Sequence, residues 1–316
     1  MSDTKKTVRN RKNNRSYGIR QAKRQESLQS YAMITPQLIG FLVFSLYPLL
    51  WVLRYVFYEY DGANESFVGL ENLIRAFGDV AYWRTVVNTF IISFGKLIIE
   101  LPLALLLAVI LNESVRGKSA FRLIFFMPNI ISVAIVGIVF SYMFSTFDGI
   151  VNNFLINIGC ISEPIDWFAN RWTANIVIMI ASTWNSFGVN MIYFLSGLLN
   201  IPRELYESGS IDGANKWQQF CHITFPQLAS VSQIILMLAI TGGIKMNDIV
   251  LTLTNGQPGG ETEVVMSYLY KQFFGGEGVS QQIGYACALG LVTSVIIGLI
   301  TIVYLRVSKK ATTIND

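Results

Sequence analysis

The sequence predicts an all-α membrane protein with six transmembrane helices, and three observations point to this fold class. The chain of 316 residues is 52% hydrophobic and only 14% charged, whereas an ordinary soluble domain carries about 25% charged residues. Its acidic and basic residues gather between long apolar stretches, although one face of a soluble helix must meet water. These stretches reach the roughly 20 mostly apolar residues that a bilayer-spanning helix needs. An ordinary soluble domain is therefore not expected.

Six apolar segments of suitable length follow one another along the chain. We predict spans at about 31–53, 86–111, 123–145, 174–199, 228–251 and 283–305. Together they form a transmembrane domain over 31–305, between a basic tail over 1–30, which we expect to be mobile, and a short tail over 306–316. The first span has neither the short apolar core nor the small-residue cleavage site of a signal peptide, so we expect it to be retained.

The distribution of Lys and Arg orients the predicted spans, because these residues are enriched in cytoplasmic loops. With six spans, both termini lie on one side of the membrane together with the second and fourth loops. That side holds seventeen of the Lys and Arg residues outside the spans, and the opposite side holds five. Both termini are therefore predicted to be cytoplasmic. Four tryptophans fall near the predicted outer interface, as aromatic belts do: Trp51, Trp83, Trp167 and Trp172.

The N-terminal tail over 1–30 carries nine basic residues against two acidic ones. Basic tails can bind nucleic acid, but a long apolar run follows this one directly. Such a position is typical of a tail that orients a membrane helix and contacts anionic lipid. We therefore expect contact with the lipid bilayer and no nucleic-acid partner.

Catalytic and metal-binding motifs are missing from the sequence. The three cysteines fall in three different segments and there is one histidine, so neither a metal site nor a disulfide scaffold is expected. Gly117, Lys118 and Ser119 resemble the end of a phosphate-binding loop, but that loop requires a glycine where Asn112 stands. We expect a chain that is not an enzyme, with no catalytic residue and no metal site.

The loop over 201–226, between the fourth and fifth predicted spans, is long enough for two short helices. Pro202 suits the first turn of one helix and Pro226 the start of the fifth span. Asp212 is expected to cap the second helix, and Gly213 permits a sharp turn between the two. Five apolar side chains of the loop should either contact another protein or lie in the lipid headgroup region: Leu205, Ile211, Trp217, Phe220 and Ile223.

This loop resembles the EAA motif of the permease subunits of ABC importers. The pattern is roughly E-A-A-x-x-x-G, followed after nine further residues by I-x-L-P, and the sugar-importer form has D-G-A at the turn. The matching positions here are Glu207, Ser208, Gly209, Asp212, Gly213, Ala214, Ile223, Phe225 and Pro226. Ser208 and Gly209 replace the two alanines and Phe225 replaces the leucine, so small residues stay small and an apolar residue stays apolar.

Three other segments resemble the same family in the expected order, so that the likeness extends from about residue 30 to 305. They are 67–72 in the first outer loop, 121–128 at the entry to the third span and 254–262 in the outer loop before the last span. The resemblance is to the maltose- and glycerol-phosphate-type branch. It implies an ABC importer type I permease fold in the bacterial cytoplasmic membrane, importing a sugar, either an oligosaccharide or a sugar derivative, by alternating access.

The resemblance also implies partners. These are a second homologous permease, a cytoplasmic ABC ATPase dimer and an extracytoplasmic solute-binding protein that delivers the sugar. In this family the EAA loop forms a coupling helix in a cleft of the ATPase, which implies that role for residues 207–214. ATP and Mg would be bound by the ATPase, and this chain would hold no cofactor. The alternative is a secondary transporter driven by an ion gradient, which often shows inverted repeats; no convincing repeat is present here.

Polar residues inside the predicted spans mark further candidate sites. Lys96 and Glu100 share a helix face and form either a local ion pair, which we favour, or a contact to the partner permease.

Sugars are usually bound by aromatic faces together with polar groups, and the family places part of its pocket on the fourth and fifth spans. The candidates for the substrate pathway are Trp184, Asn185, Asn190, Asn247 and Asp248. Hydrogen bonding between helices is the alternative role for these residues.

Overall fold

The computed structural model describes residues 29–113, 116–276 and 278–312, which are mostly helical. The predicted basic tail over 1–30 lies outside the described residues except for its last two positions. The helices are α1 (Gln29–Tyr55), α2 (Glu71–Gly78), α3 (Val80–Asn112), α4 (Lys118–Ile130), α5 (Val133–Met143), α6 (Ile150–Asn157), α7 (Arg171–Leu199), α8 (Arg203–Ile211), α9 (Lys216–Gln227), α10 (Ala229–Ile244), α11 (Asp248–Leu253), α12 (Val265–Phe274) and α13 (Ile283–Thr312). Strands β1 (Tyr58–Tyr60) and β2 (Glu65–Phe67) form one antiparallel hairpin.

Four of these helices are long and apolar enough to cross a membrane, namely α1, α3, α7 and α13. Two further pairs reach that length only as bent units. The α4–α5 pair bends by 95° and the α9–α10 pair by 66°. Within the described residues, the chain therefore has four candidate spans, or six if each bent pair crosses the membrane once.

The third predicted span is broken, because a side chain from another helix terminates α4. Asn185 of α7 donates a hydrogen bond to the carbonyl oxygen of Pro128 at 2.8 Å. A continuing helix would pair that carbonyl with the amide of Ser132, but Ile131 is extended and α5 begins at Val133. The side-chain amide thus satisfies a carbonyl that the end of a helix leaves free.

The fifth predicted span, 228–251, is also not one helix. Helix α10 ends at Ile244, just after Gly242 and Gly243, and α11 begins at Asp248. Glycine weakens a helix interior, and Gly243 here allows close contact with Ser93 of α3. Lys245 and Asn247 consequently lie at a break in the chain.

Helices α3 and α7 form the centre of the fold and pack along each other more extensively than any other described pair of elements. At one end they share a buried apolar cluster with α5 and α11 that contains Ile92, Val136, Val177 and Val250. At the other end, small Ala104 and Ala108 of α3 pack with α7 and α10. Small residues let helix backbones approach closely in membrane proteins.

Helix α1 stands apart from this core, since the apolar window that qualifies it as a span buries no residue inside the chain. Its large apolar side chains are mostly exposed, Phe44 by 82%. It joins the fold at its end, where Tyr55 and Val56 pack against α13. A surface of this kind is suited to lipid or to another membrane subunit.

Candidate functional site

The hairpin α8–α9 connects the end of α7 to α10, and its turn is defined by backbone hydrogen bonds. The amide of Ala214 donates to the carbonyl of Gly209 at 2.8 Å, and the amide of Gly213 donates to that of Ser210 at 3.2 Å. This pair of bonds is the Schellman arrangement that ends a helix. It requires a left-handed residue, and Gly213 has φ +81°. The predicted turn at Gly213 is present.

The second helix of the hairpin is capped by a different residue from the one predicted. Asp212 ends α8 and was wrongly expected to cap α9. Asn215 does so, because its side chain accepts from the amide of Gln218 at 2.9 Å and the Gln218 side chain accepts from the amide of Asn215 at 2.8 Å. This reciprocal pair is a capping box, so both sides of the turn have their backbone groups satisfied.

Side chains bind the two arms of the hairpin to each other and to the helical core. Tyr206 and Thr224 share a hydrogen bond of 3.0 Å between their hydroxyls, and the buried Gln219 donates to Ser210 at 2.9 Å. Tyr206 and Ile223 also pack on the apolar cluster that joins α3, α7 and α10. A displacement of the hairpin is therefore transmitted to α7 and α10 by packing.

The outer face of the hairpin is accessible. Glu207, Ser208, Asp212 and Gly213 are exposed, whereas Gly209 is half-buried against Ile223. Large apolar side chains project from the same hairpin, with Ile211 exposed by 87% and Trp217 by 71%. The exposed surface combines acidic and apolar groups, which is a composition suited to contact with another protein.

The fourth-span candidates are placed differently from one another. Trp184 is 39% exposed, and its ring lies 5.7 Å from that of Phe140. Asn185 donates to α4, as described above. Asn190 is buried and donates to the carboxylate of Glu100 at 2.7 Å. The two amides thus take part in helix-to-helix hydrogen bonds.

The fifth-span candidates lie at the break between α10 and α11. Asn247 donates to the carboxylate of the exposed Asp248 at 3.2 Å. The oxygen of its side-chain amide, Oδ1, is buried and has no hydrogen-bond partner among the described residues. Asn247 also lines a cavity of about 300 Å³ with Lys245 and the rings of Tyr270 and Phe273. This cavity offers amide, ammonium and aromatic groups together.

Lys96 and Glu100 form an ion pair of 3.4 Å within α3. Lys96 is 12% exposed and Glu100 only 1%, and Asn190 supplies the second contact of the carboxylate. The local ion pair that we favoured from the sequence is present, although the Glu100 oxygen nearest Lys96 has no well-aligned hydrogen bond among the described residues. Its burial between α3 and α7 keeps both charges away from lipid, where they are costly.

Sequence reasoning missed a buried amide that organises the opposite end of the molecule. Asn88 of α3 donates to the carbonyl of Glu263 at 3.0 Å and accepts from Asn175 of α7 at 2.8 Å. Its neighbour Thr89 accepts from the amide of Val265 at 2.9 Å. The loop before α12 is thereby attached to both central helices. The sequence signal that could have indicated this role is that Asn88 is an isolated asparagine in an apolar run.

A second such point is Asp79, which caps α3 by accepting from the amides of Ala81 and Tyr82. The hydroxyls of Tyr268 and Tyr285 donate to its other oxygen. Burial alone would raise the pKa of Asp79, but these hydrogen bonds outweigh it and hold the pKa below its ordinary value. Asp79 therefore remains charged and joins α3, α12 and α13.

Known proteins resemble this chain in sequence and in fold. Residues 100–313 match the family described as the binding-protein-dependent transport system inner membrane component. The chain is 33% identical over 281 residues to the arabinooligosaccharides transport system permease protein AraP of Bacillus subtilis (strain 168), covering 88% of each. It is 35% identical over 255 residues to the lactose transport system permease protein LacF of Rhizobium radiobacter, covering 80% of this chain and 85% of that protein.

The fold also matches a solved structure. A chain of a bacterial alginate ABC transporter, crystallised with its alginate pentasaccharide-bound periplasmic protein, superposes with a TM-score of 0.79 at 23% identity, over 91% of this chain and 96% of that chain. The match supports the fold. The family match and the sequence identities show that the chain belongs to the binding-protein-dependent transport system inner membrane components, the non-catalytic permease subunits of ABC importers.

Proposed function

We propose that this chain is one of two permease subunits of an ATP-driven importer for oligosaccharides or sugar derivatives in the bacterial cytoplasmic membrane. The named relatives that transport arabinooligosaccharides and lactose support a sugar substrate. In this proposal each bent helix pair crosses the membrane once, which gives six spans with both termini in the cytoplasm. The basic tail over 1–30 and the tail over 306–316 are then cytoplasmic.

The observation that carries the coupling mechanism is the hairpin α8–α9, which is firmly attached to two helices and exposed on its outer face. Glu207, Ser208 and Asp212 present polar groups to the ATPase, while Gly209, Gly213 and Ala214 form the turn that fixes the shape of the surface. ATP and Mg bind to the ATPase dimer, and closure of that dimer moves the hairpin. Because Tyr206 and Ile223 pack on the core, α7 and α10 follow this movement as rigid elements.

The substrate pathway in this proposal passes between this chain and its homologous partner, and a solute-binding protein delivers the sugar. Trp184 offers an exposed aromatic face, and Asn247 and Asp248 offer amide and carboxylate groups at a break in the helix. Asn185 and Asn190 contribute to the pathway by fixing the positions of α4 and α3. Binding of ATP must favour one of the two permease conformations for transport to proceed in one direction.

A transport measurement tests the energy source. Membrane vesicles containing the complete transporter and its binding protein are loaded with ATP, and the ion gradients are collapsed with ionophores. We expect uptake of labelled arabinooligosaccharide or lactose to persist with ATP and to stop when ATP is omitted. Uptake that requires a gradient and ignores ATP would establish a secondary transporter instead.

A second experiment tests the hairpin. Gly213→Pro cannot adopt the left-handed conformation and loses the amide that donates to Ser210. We expect the variant to insert into the membrane and to recover at least tenfold less ATPase on affinity purification. Gly69→Pro is the matched control, since Gly69 is also left-handed, with φ +61° and no neighbour within 4 Å of a built Cβ, but lies in the first outer loop. Normal ATPase recovery with Gly213→Pro would contradict the coupling role.

A further inference from the structure

A charged cavity lies at the end of the molecule opposite the hairpin. Its volume is about 500 Å³, and it is lined by the starts of α3 and α7, the loop before α12, and α12 itself. Helix α7 starts at this cavity with Arg171 and has 29 residues, so it separates the cavity from the hairpin by roughly 43 Å. That distance exceeds the thickness of the bilayer core, which places the cavity on the outer side when the hairpin is cytoplasmic.

The charges that line the cavity do not balance. Among the described residues around it, three are cationic and two are acidic: Arg84, Arg171, Lys271, Glu261 and Glu263. Lys271 is paired with Glu263 and also donates to the carbonyl of Asn255. Among the described residues, the guanidinium groups of Arg84 and Arg171 then face one unpaired carboxylate, that of Glu261. The net charge of these three groups is +1.

The two arginines retain unused donors. Arg84 is exposed and has neither an ion pair nor a hydrogen bond to a described residue. Arg171 donates to Asn88 over a long 3.4 Å, and its Nε is buried without a partner. A guanidinium presents its donors as a planar fork, which matches the two oxygens of a carboxylate.

A buried acceptor faces the same space. Gln272 lines the cavity and is 7% exposed, yet its Oε1 has no hydrogen-bond partner in the described part of the chain. An amide oxygen only accepts, and a buried acceptor without a donor is unfavourable. An occupant that donates a hydrogen bond to this oxygen, as a sugar hydroxyl does and a carboxylate does not, would remove this cost.

We propose that this cavity is an outer binding site for a saccharide that carries one carboxylate, such as a uronate unit. The carboxylate pairs with Arg84 and Arg171, and a ring hydroxyl donates to Gln272. An acidic side chain of a docking protein would satisfy the arginines and leave Gln272 unpaired. A phosphate group carries more than one negative charge at neutral pH and would exceed the single positive charge that the described lining residues provide. This proposal rests on the proposed function, since it specifies a class of sugar for that importer.

The test uses the full-length chain, purified in lipid nanodiscs with the subunits that accompany it. Isothermal titration compares glucuronate, which carries one carboxylate, with its neutral counterpart glucose and with glucose 6-phosphate. We expect saturable binding of glucuronate, at least tenfold tighter than that of either other sugar. Arg84→Gln and Arg171→Gln should each weaken it at least tenfold, and Gln272→Leu should weaken it several-fold. Arg54→Gln, which alters an exposed arginine paired with Glu65 outside the cavity, should leave it unchanged.

Several results would overturn the inference. Equal binding of glucose, tighter binding of glucose 6-phosphate, or an Arg84→Gln variant with unaltered affinity would each do so. Arg84 is exposed, so misfolding does not account for its effects. The binding protein loaded with a neutral sugar should still stimulate ATP hydrolysis by the Arg84→Gln transporter. Loss of that stimulation would identify a protein carboxylate as the occupant of the cavity and would contradict the inference. ATP-driven uptake of a neutral oligosaccharide without glucuronate binding would refute this site and leave the proposed function standing.

Discussion

Gly188 of α7 marks the closest approach of two helices in the region of the candidate pathway. A Cβ built at this position would lie 2.0 Å from the carbonyl oxygen of Phe125 and 3.0 Å from the Cα of Phe126, both in the backbone of α4. Ordinary van der Waals contact begins at 3.4 Å. Because a backbone cannot rotate away as a side chain can, Gly188→Ala should force α4 and α7 apart by more than about 1 Å.

The expected cost follows from three contributions. Overpacking of this kind costs about 1–3 kcal/mol. Separation of the helices also strains the bond from Asn185 to the Pro128 carbonyl, 2.8 Å long, which contributes about 1 kcal/mol. Replacement of a helical glycine by alanine opposes these losses by about 1 kcal/mol. We therefore expect Gly188→Ala to lower the free energy of unfolding by about 2 kcal/mol.

Thermal unfolding of the purified protein in detergent measures this effect. A loss of about 2 kcal/mol corresponds to a melting temperature lower by about 3 °C for a chain of 316 residues. Gly242→Ala is the matched control, because Gly242 is also helical and nothing lies within 4 Å of its built Cβ. That variant should melt at the same temperature as the natural protein or slightly above it. If Gly188→Ala also melts within about 1 °C of the natural protein, α4 and α7 do not approach as closely as described.

Three other changes test the buried polar groups and the hairpin. Glu100→Leu leaves the ammonium of Lys96 buried without its partner and should cost about 3–5 kcal/mol in thermal unfolding, whereas the double variant with Lys96→Met should recover most of the loss. The pKa of Asp79 is held low in the folded protein, so its charged form should stabilise the fold above about pH 4. This stability is lost as the pH falls through the lowered pKa. The difference in unfolding free energy between the natural protein and Asp79→Asn should therefore shrink in acid. Gly213→Ala imposes a left-handed conformation at about 1–2 kcal/mol, which should speed hydrogen exchange at the Ala214 amide about 5- to 30-fold.

Each of these expectations has a clear contrary outcome. A Glu100→Leu variant as stable as the natural protein would show that Lys96 reaches solvent or lipid headgroups. Parallel pH profiles for the natural protein and Asp79→Asn would mean that the tyrosine hydroxyls do not stabilise the charged carboxylate. For the hairpin, Gly69→Ala serves as control, and an equal change in exchange at Ala214 in both variants would remove the argument from local turn geometry.

The long spans could be predicted from sequence because hydropathy is a property of the segment itself. Helices α1, α3, α7 and α13 cover runs that are apolar whatever their neighbours are. The turn at Gly213 was also predictable, since a left-handed residue after a short helix favours glycine. The cap was a harder case, because Asp212 and Asn215 are equally good capping residues. The glutamine three residues after Asn215 is the local signal that distinguishes them.

The breaks in the third and fifth spans could not be predicted, because their causes lie far away in the sequence. Helix α4 ends where Asn185, 57 residues later, takes the carbonyl of Pro128. Helix α10 ends beside Gly243, which packs on Ser93 of α3. A proline or glycine within an apolar run permits a break, but the partner that stabilises the broken form is known only once the helices are packed.

The same reasoning limits what residue type alone says about a binding site. Asn185, Asn190 and Asn247 are equivalent in the sequence as amides within apolar spans, yet the first two use their amide groups to hold neighbouring helices. Within the described chain, Asn247 keeps a buried side-chain oxygen without a partner beside a cavity, as Gln272 does at the end opposite the hairpin. A polar group whose bonding capacity is not met inside the chain is the one available to a ligand, because its desolvation cost is recovered only on binding. Unmet hydrogen-bonding capacity beside a cavity therefore favours Asn247 and Gln272 as ligand contacts, whereas an unpartnered oxygen alone, as in the structural amide Asn175, does not.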